Sequence, residues 1–150
     1  IVDIDGFSHY NRSNGEAMGD ACLHAVADAL RSVANRPTDL LARFGGGKFA
    51  VLLPETELEG AMTVADRAIR AVDALRDHRV TVSVGSGCLN AAAEVHTLPA
   101  EHAEPAELVA ITEEALRAAK AGGGHRAAAL MLGDAIAPPA PGRERASLRI

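Results

Sequence analysis

Cysteine is scarce in this chain: Cys22 and Cys88 stand far apart, each in an apolar context. With no CxxC pair and no Cys/His cluster, the sequence offers neither a disulfide framework nor a zinc site. Two buried thiols in a reducing compartment are expected instead. Positive charge is also short. Fifteen Lys and Arg against 20 Asp and Glu give a net charge of −5, which argues against a general phosphate-backbone binder and so against nucleic acid as a partner. A compact basic site for a small anion remains compatible with that balance. The apolar runs fall short of the roughly 18 residues a membrane span needs, and no basic-then-apolar leader opens the sequence. No internal repeat is found.

What is present is an ordinary globular balance, with 48% hydrophobic and 23% charged residues in 150. One domain of this size buries roughly 68–70% of its unfolded surface, so it needs no staple. The chain starts at Ile1, inside what reads as a strand, so a fragment of a longer protein is expected.

Ile1–Ile4 is short, β-branched and apolar, as a buried strand is. A polar, turn-rich stretch follows, with Gly6, Asn11, Ser13, Asn14 and Gly15. Leu23, Val26, Ala27, Leu30, Val33 and Ala34 then recur at helical spacing, and Pro37 ends that helix. Leu40–Phe44 and Phe49–Leu53 predict two strands joined at Gly45, Gly46 and Gly47, since glycine accepts positive φ cheaply. A helix is predicted from Glu57 to Arg76. Val80, Val82 and Val84 alternate with Thr81 and Ser83, the period of a half-buried strand. Residues 90–104 read as a loop. Pro105 opens a last helix, which Gly122–Gly124 stops. Ala127–Leu132 predicts a final strand, and from Pro138 the Pro- and charge-rich tail reads as disordered. A hairpin set between helices implies an α+β fold with a mostly antiparallel sheet. Residues 1–133 form the expected domain and 134–150 the tail.

Asp3 and Asp5 end the first strand beside the glycine hairpin, where a carboxylate suits either Mg²⁺ or a strand-end cap. Arg43-Phe-Gly-Gly-Gly-Lys-Phe49 is not a Walker loop: the spacing is wrong, and Phe49 follows the lysine where Ser or Thr is required. Glu113 and Arg117 fit an i,i+4 surface pair. His96 and His102 fit exposed loop histidines.

Taken in order, Asp3-Ile-Asp-Gly-Phe7, Asn11, Gly15-Glu-Ala-Met-Gly-Asp20 and Arg43–Phe49 resemble the signature series of GGDEF domains, the diguanylate cyclases. Val80–Gly85 and Glu113–Gly122 resemble the family's later strand and closing helix. The resemblance runs from Ile1 to about Leu132. It implies a palm-like cyclase fold in which two domains face each other. Each holds one GTP, and Mg²⁺ assists in-line attack of a 3′-hydroxyl on the α-phosphorus. Asp3 and the Ile4 backbone fall at metal positions.

The motif itself reads Gly45-Gly46-Gly47-Lys48-Phe49. Gly47 occupies the position of the hairpin metal carboxylate and Lys48 replaces the neighbouring acid, so a catalytically degenerate domain is expected. Ser8 stands where many members carry lysine. Lys120 matches a phosphate-binding lysine. The arginine expected four residues later falls at Gly124, with His125 or Arg126 as substitutes. Asn11 and Asp20 match the residues that read guanine. Arg36-Pro-Thr-Asp39 has the spacing of the family's inhibitory RxxD site for cyclic di-GMP, and Arg67 matches a further arginine of that site. The alternative for Arg36 and Asp39 is a pair that only closes a turn.

The resemblance therefore implies a non-cyclase signalling module that senses cyclic di-GMP. A nucleotide-free interaction or dimerisation scaffold, a GTP-binding regulatory domain and a residual cyclase are the alternatives. No cofactor is expected beyond Mg²⁺ accompanying any GTP. Fused domains or a second copy are the expected protein partners, and the cytoplasm the expected location.

Overall fold

A computed structural model describes residues 1–89 and 105–131. Five strands form one sheet in the order β2-β3-β1-β4-β5. They are β1 (Val2–Ile4), β2 (Leu40–Gly45), β3 (Lys48–Leu52), β4 (Val82–Cys88) and β5 (Ala127–Met131). The helices are α1 (Phe7–Asn14), α2 (Glu16–Val33), α3 (Leu58–Asp73) and α4 (Pro105–Ala121). β1 pairs antiparallel with β3 and β4, and β2 with β3; β4 and β5 run parallel. The expected mostly antiparallel α+β sheet is found.

Strand alternation sorts this sheet into two faces. On one, Val2, Ile4, Phe49, Val82 and Val84 pack with Cys22, Leu23, Val26 and Leu30 of α2 and with Ala65, Ala68 and Val72 of α3. The spacing of the α2 residues is the helical stripe the sequence predicts. On the other face lies α4. A Cβ added at Gly85 would sit 2.3 Å from the Thr112 carbonyl oxygen and 2.4 Å from the Leu116 nitrogen. Helix and strand backbones thus touch there, and only glycine permits it.

Three expectations change. The stretch after β1 is not a run of turns but helix α1, bracketed by Gly6 (φ 65) and Gly15 (φ 84). It buries no residue, so it lacks the apolar period that announces a helix. The valine strand is not half-buried. Both faces of β4 are covered, and Ser83 between the valines is fully buried. The hairpin turn tightens to Gly46 and Gly47, with Gly45 and Lys48 inside the strands. Cys22 and Cys88 are buried free thiols. The expected loop at 90–104, with His96 and His102, and the expected tail lie outside the described residues. No helix among the described residues is long and apolar enough to cross a membrane.

Candidate functional site

The antiparallel register sets Lys48 of β3, Asp3 of β1 and Ser83 of β4 in one row across the sheet. Directly opposed residues share a face, here the face that α4 covers. Lys120, in the last turn of α4, puts its Nζ 2.5 Å from Asp3 Oδ2. Glu113, two turns earlier, lies 3.8 Å from Lys48 Nζ. Residues seven apart share a helix face, so one side of α4 delivers both partners. Glu113 thus faces Lys48 across the sheet; among the described residues it makes no ion pair with Arg117, which corrects the expected surface pair.

Asp5 works as a hub. Its carboxylate accepts the Thr81 and Ser83 hydroxyls, each at 2.7 Å, and the His125 backbone amide at 3.1 Å. These bonds tie the end of β1 to β4 and to the turn after α4. His125 has positive φ (51°), and its Nε2 meets both Asp73 oxygens at 2.9 Å. Arg126 Nε donates to the Gly124 carbonyl. Neither residue meets Lys120 among the described contacts. Thr81, Ser83, Asp73 and Glu113 were not legible as site residues, since nothing in their local sequence marks a long-range partner.

The hairpin is fastened to β1 by a 3.0 Å bond from the Ile4 amide to the Gly47 carbonyl. Arg43 donates to the Gly46 carbonyl and lies 5.7 Å over the Phe49 ring, a cation–π distance. A cleft of about 210 Å³ between α2 and the hairpin is lined by Asp20, Leu23, His24, Ala27, Arg43 and Phe49. Asn11 packs against Gly19, where a Cβ would fall 2.1 Å from its Oδ1. Asn11 thus packs on α2 at Gly19, while Asp20 lines the separate cleft beside the hairpin. Asn11 Oδ1 is buried and has no hydrogen-bond partner among the described residues.

Arg36 and Asp39 lie at the other end of α2, in the turn before β2. Asp39 Oδ2 accepts the Arg36 backbone amide at 3.1 Å, and the Asp39 amide donates to the Arg36 carbonyl at 3.0 Å. The Arg36 guanidinium turns away to the Thr56 hydroxyl, 3.1 Å off, just ahead of α3. Asp39 Oδ1 is buried without a partner among the described residues. Arg67 is exposed on α3 and bonds to neither residue among the described contacts. A larger apolar groove of about 950 Å³ between β3, α3, β4 and α4 is lined by Thr56 but not by Arg36, Asp39 or Arg67.

Burial raises the Cys22 thiol above its ordinary range. Tyr10, hydrogen-bonded to His78 Nδ1 at 3.1 Å, is raised by desolvation first and by Cys22 second.

Compared with known proteins, residues 1–126 match the family described as "Diguanylate cyclase, GGDEF domain". Diguanylate cyclase DgcM of Escherichia coli (strain K12) is 39% identical over 88 residues, 57% of this chain and 21% of that protein. The GGDEF domain of DgcB from Caulobacter crescentus, solved with cyclic di-GMP, superposes with a TM-score of 0.71 at 27% identity. That match covers 85% of this chain and 74% of that one. Diguanylate cyclase SiaD of Pseudomonas aeruginosa, solved with its activator SiaC, gives 0.70 at 29% identity, covering 87% and 47%. The chain spans 8–26% of the length of the first curated relatives it matches.

Proposed function

The chain belongs to the GGDEF-domain family of diguanylate cyclases, and from that premise we propose that it is a catalytically degenerate member that binds cyclic di-GMP at Arg36 and Asp39. The observation that carries this reading is the state of those two side chains. Asp39 keeps one buried carboxylate oxygen with no partner among the described residues, an unsatisfied acceptor that guanine N–H donors would pair once the turn admits them. Arg36 holds its guanidinium out on a single hydroxyl contact, free to offer a planar fork to guanine O6 and N7. The hydrogen bond between Asp39 and the Arg36 amide fixes the turn, so little ordering is left for the ligand to impose. Arg67 on α3 is the proposed third contact.

Loss of cyclase activity follows from the hairpin. Gly47 supplies no ligand atom, and Lys48 brings positive charge to the place of an acid. Transition-state charge in phosphoryl transfer then lacks its metal. A second reading, GTP binding without turnover, is favoured by the Asn11 Oδ1, unpartnered among the described residues, and by the separate cleft that Asp20 lines. As a receptor the domain would report to fused domains or a second copy; as a scaffold it would do so without nucleotide.

Thermal melting tests the proposal. Cyclic di-GMP at about 100 times its dissociation constant adds about 2.7 kcal/mol of stability, or about 5–10 °C in Tm for a domain of this size. Arg36→Ala should remove that shift. An equal shift in the variant, or none in the wild type at about 100 μM ligand, overturns the proposal.

A further inference from the structure

In the family's reaction a divalent cation belongs near Asp3, and the residues here do not fit one. Mg²⁺ asks for near-octahedral oxygen ligation. Asp3 Oδ2 is already held by Lys120 Nζ at 2.5 Å. Both Asp5 oxygens are taken, by Thr81, Ser83 and the His125 amide. The position opposite Asp3 in β3 is Lys48, and Gly47 has no side chain. Among the described residues no three His, Cys, Asp or Glu side chains are grouped to hold a metal ion.

We propose that the two lysines are resident counter-ions, so that an internal ammonium does the electrostatic work a divalent cation would do at Asp3. The buried Asp3 carboxylate needs a positive partner, and Lys120 supplies it from α4. Lys48 is held beside the same row by Glu113, again from α4. The two pairs lie two helical turns apart and clip α4 across β1 and β3. The cluster of Asp3, Glu113, Lys48 and Lys120 is formally neutral, and the neighbouring Asp5 charge is already bound by two hydroxyls and an amide. Any dication would also face two ammonium groups at short range. The domain therefore neither needs nor binds Mg²⁺ or Mn²⁺ at this place. This inference does not depend on cyclic di-GMP binding.

Electron paramagnetic resonance of Mn²⁺, titrated to about 1 mM into the wild-type chain, tests the exclusion. The expected spectrum is that of free Mn²⁺ throughout, and Tm is the same with MgCl₂ as with NaCl at matched ionic strength. Bound Mn²⁺ that Asp3→Asn abolishes overturns the proposal. A double-mutant cycle tests the counter-ion role without any metal. Asp3→Asn and Lys120→Met should each lower Tm by about 4–8 °C, and the double variant by no more than the larger single loss. Additive losses overturn it. If a single variant fails to fold, Mn²⁺ bound by the wild type is located by paramagnetic broadening of its backbone amide resonances, and broadening centred on Asp3 and Ile4 overturns the proposal.

Discussion

The Asp39 carboxylate binds the backbone of Arg36, not its guanidinium: Oδ2 accepts the Arg36 amide at 3.1 Å while Oδ1 stays unpartnered. A side chain that closes its own turn in this way stabilises it. Asp39→Ala should therefore cost about 1 kcal/mol of stability, seen as a lower urea midpoint with unchanged slope. A variant as stable as the wild type would mean that the turn does not depend on this bond.

Gly47 is confined by sterics rather than by backbone conformation. A Cβ there would stand 2.8 Å from Phe7 Cβ and 3.0 Å from Phe7 Cγ. Phe7 is held in turn by stacking on Tyr10, with ring centroids 6.5 Å apart. Gly47→Ala should destabilise the domain by about 1–3 kcal/mol through overpacking, and Gly47→Glu by at least as much. Denaturant unfolding measures both. A neutral Gly47→Ala would show that α1 yields freely.

Gly85 is tighter still, because its neighbours are the backbone of α4 at Thr112 and Leu116 and cannot swing aside. Gly85→Ala should cost about 3 kcal/mol or more by forcing helix and strand apart. A far-ultraviolet melt of the purified variant checks this, and an unchanged Tm contradicts the packing described.

Cys22 is fully buried and its thiol is raised by desolvation. Reactive cysteines need exposure and thiolate character, so Cys22 should resist a thiol-specific chromogenic reagent in native buffer and react only on unfolding. Rapid native reaction at Cys22, located by mass spectrometry, would contradict its placement in the core.

Much of this was written in the chain. The α2 stripe from Leu23 to Val33, the glycine hairpin and the bounds of α4 between Pro105 and Gly122 follow from local periodicity and punctuation. The bonds that assemble the site do not. Asp3 is 117 residues from Lys120, and Asp5 is 76 and 78 from Thr81 and Ser83. The register of β1 beside β4 and the packing of α4 on β4 bring them together. Helix α1 was hidden for the opposite reason: none of its residues is fully buried and only Phe7 and Tyr10 pack partly on the core, so no apolar stripe marks it. Ser83 looked like the wet side of a strand because alternation cannot show that α4 covers the second face.

The most direct test is calorimetric titration of cyclic di-GMP into the wild-type chain and into Arg36→Ala. The account predicts saturable heat with the wild type and none with the variant at ligand concentrations of about 100 μM. No wild-type binding, or binding that survives Arg36→Ala, would contradict a receptor built on Arg36 and Asp39.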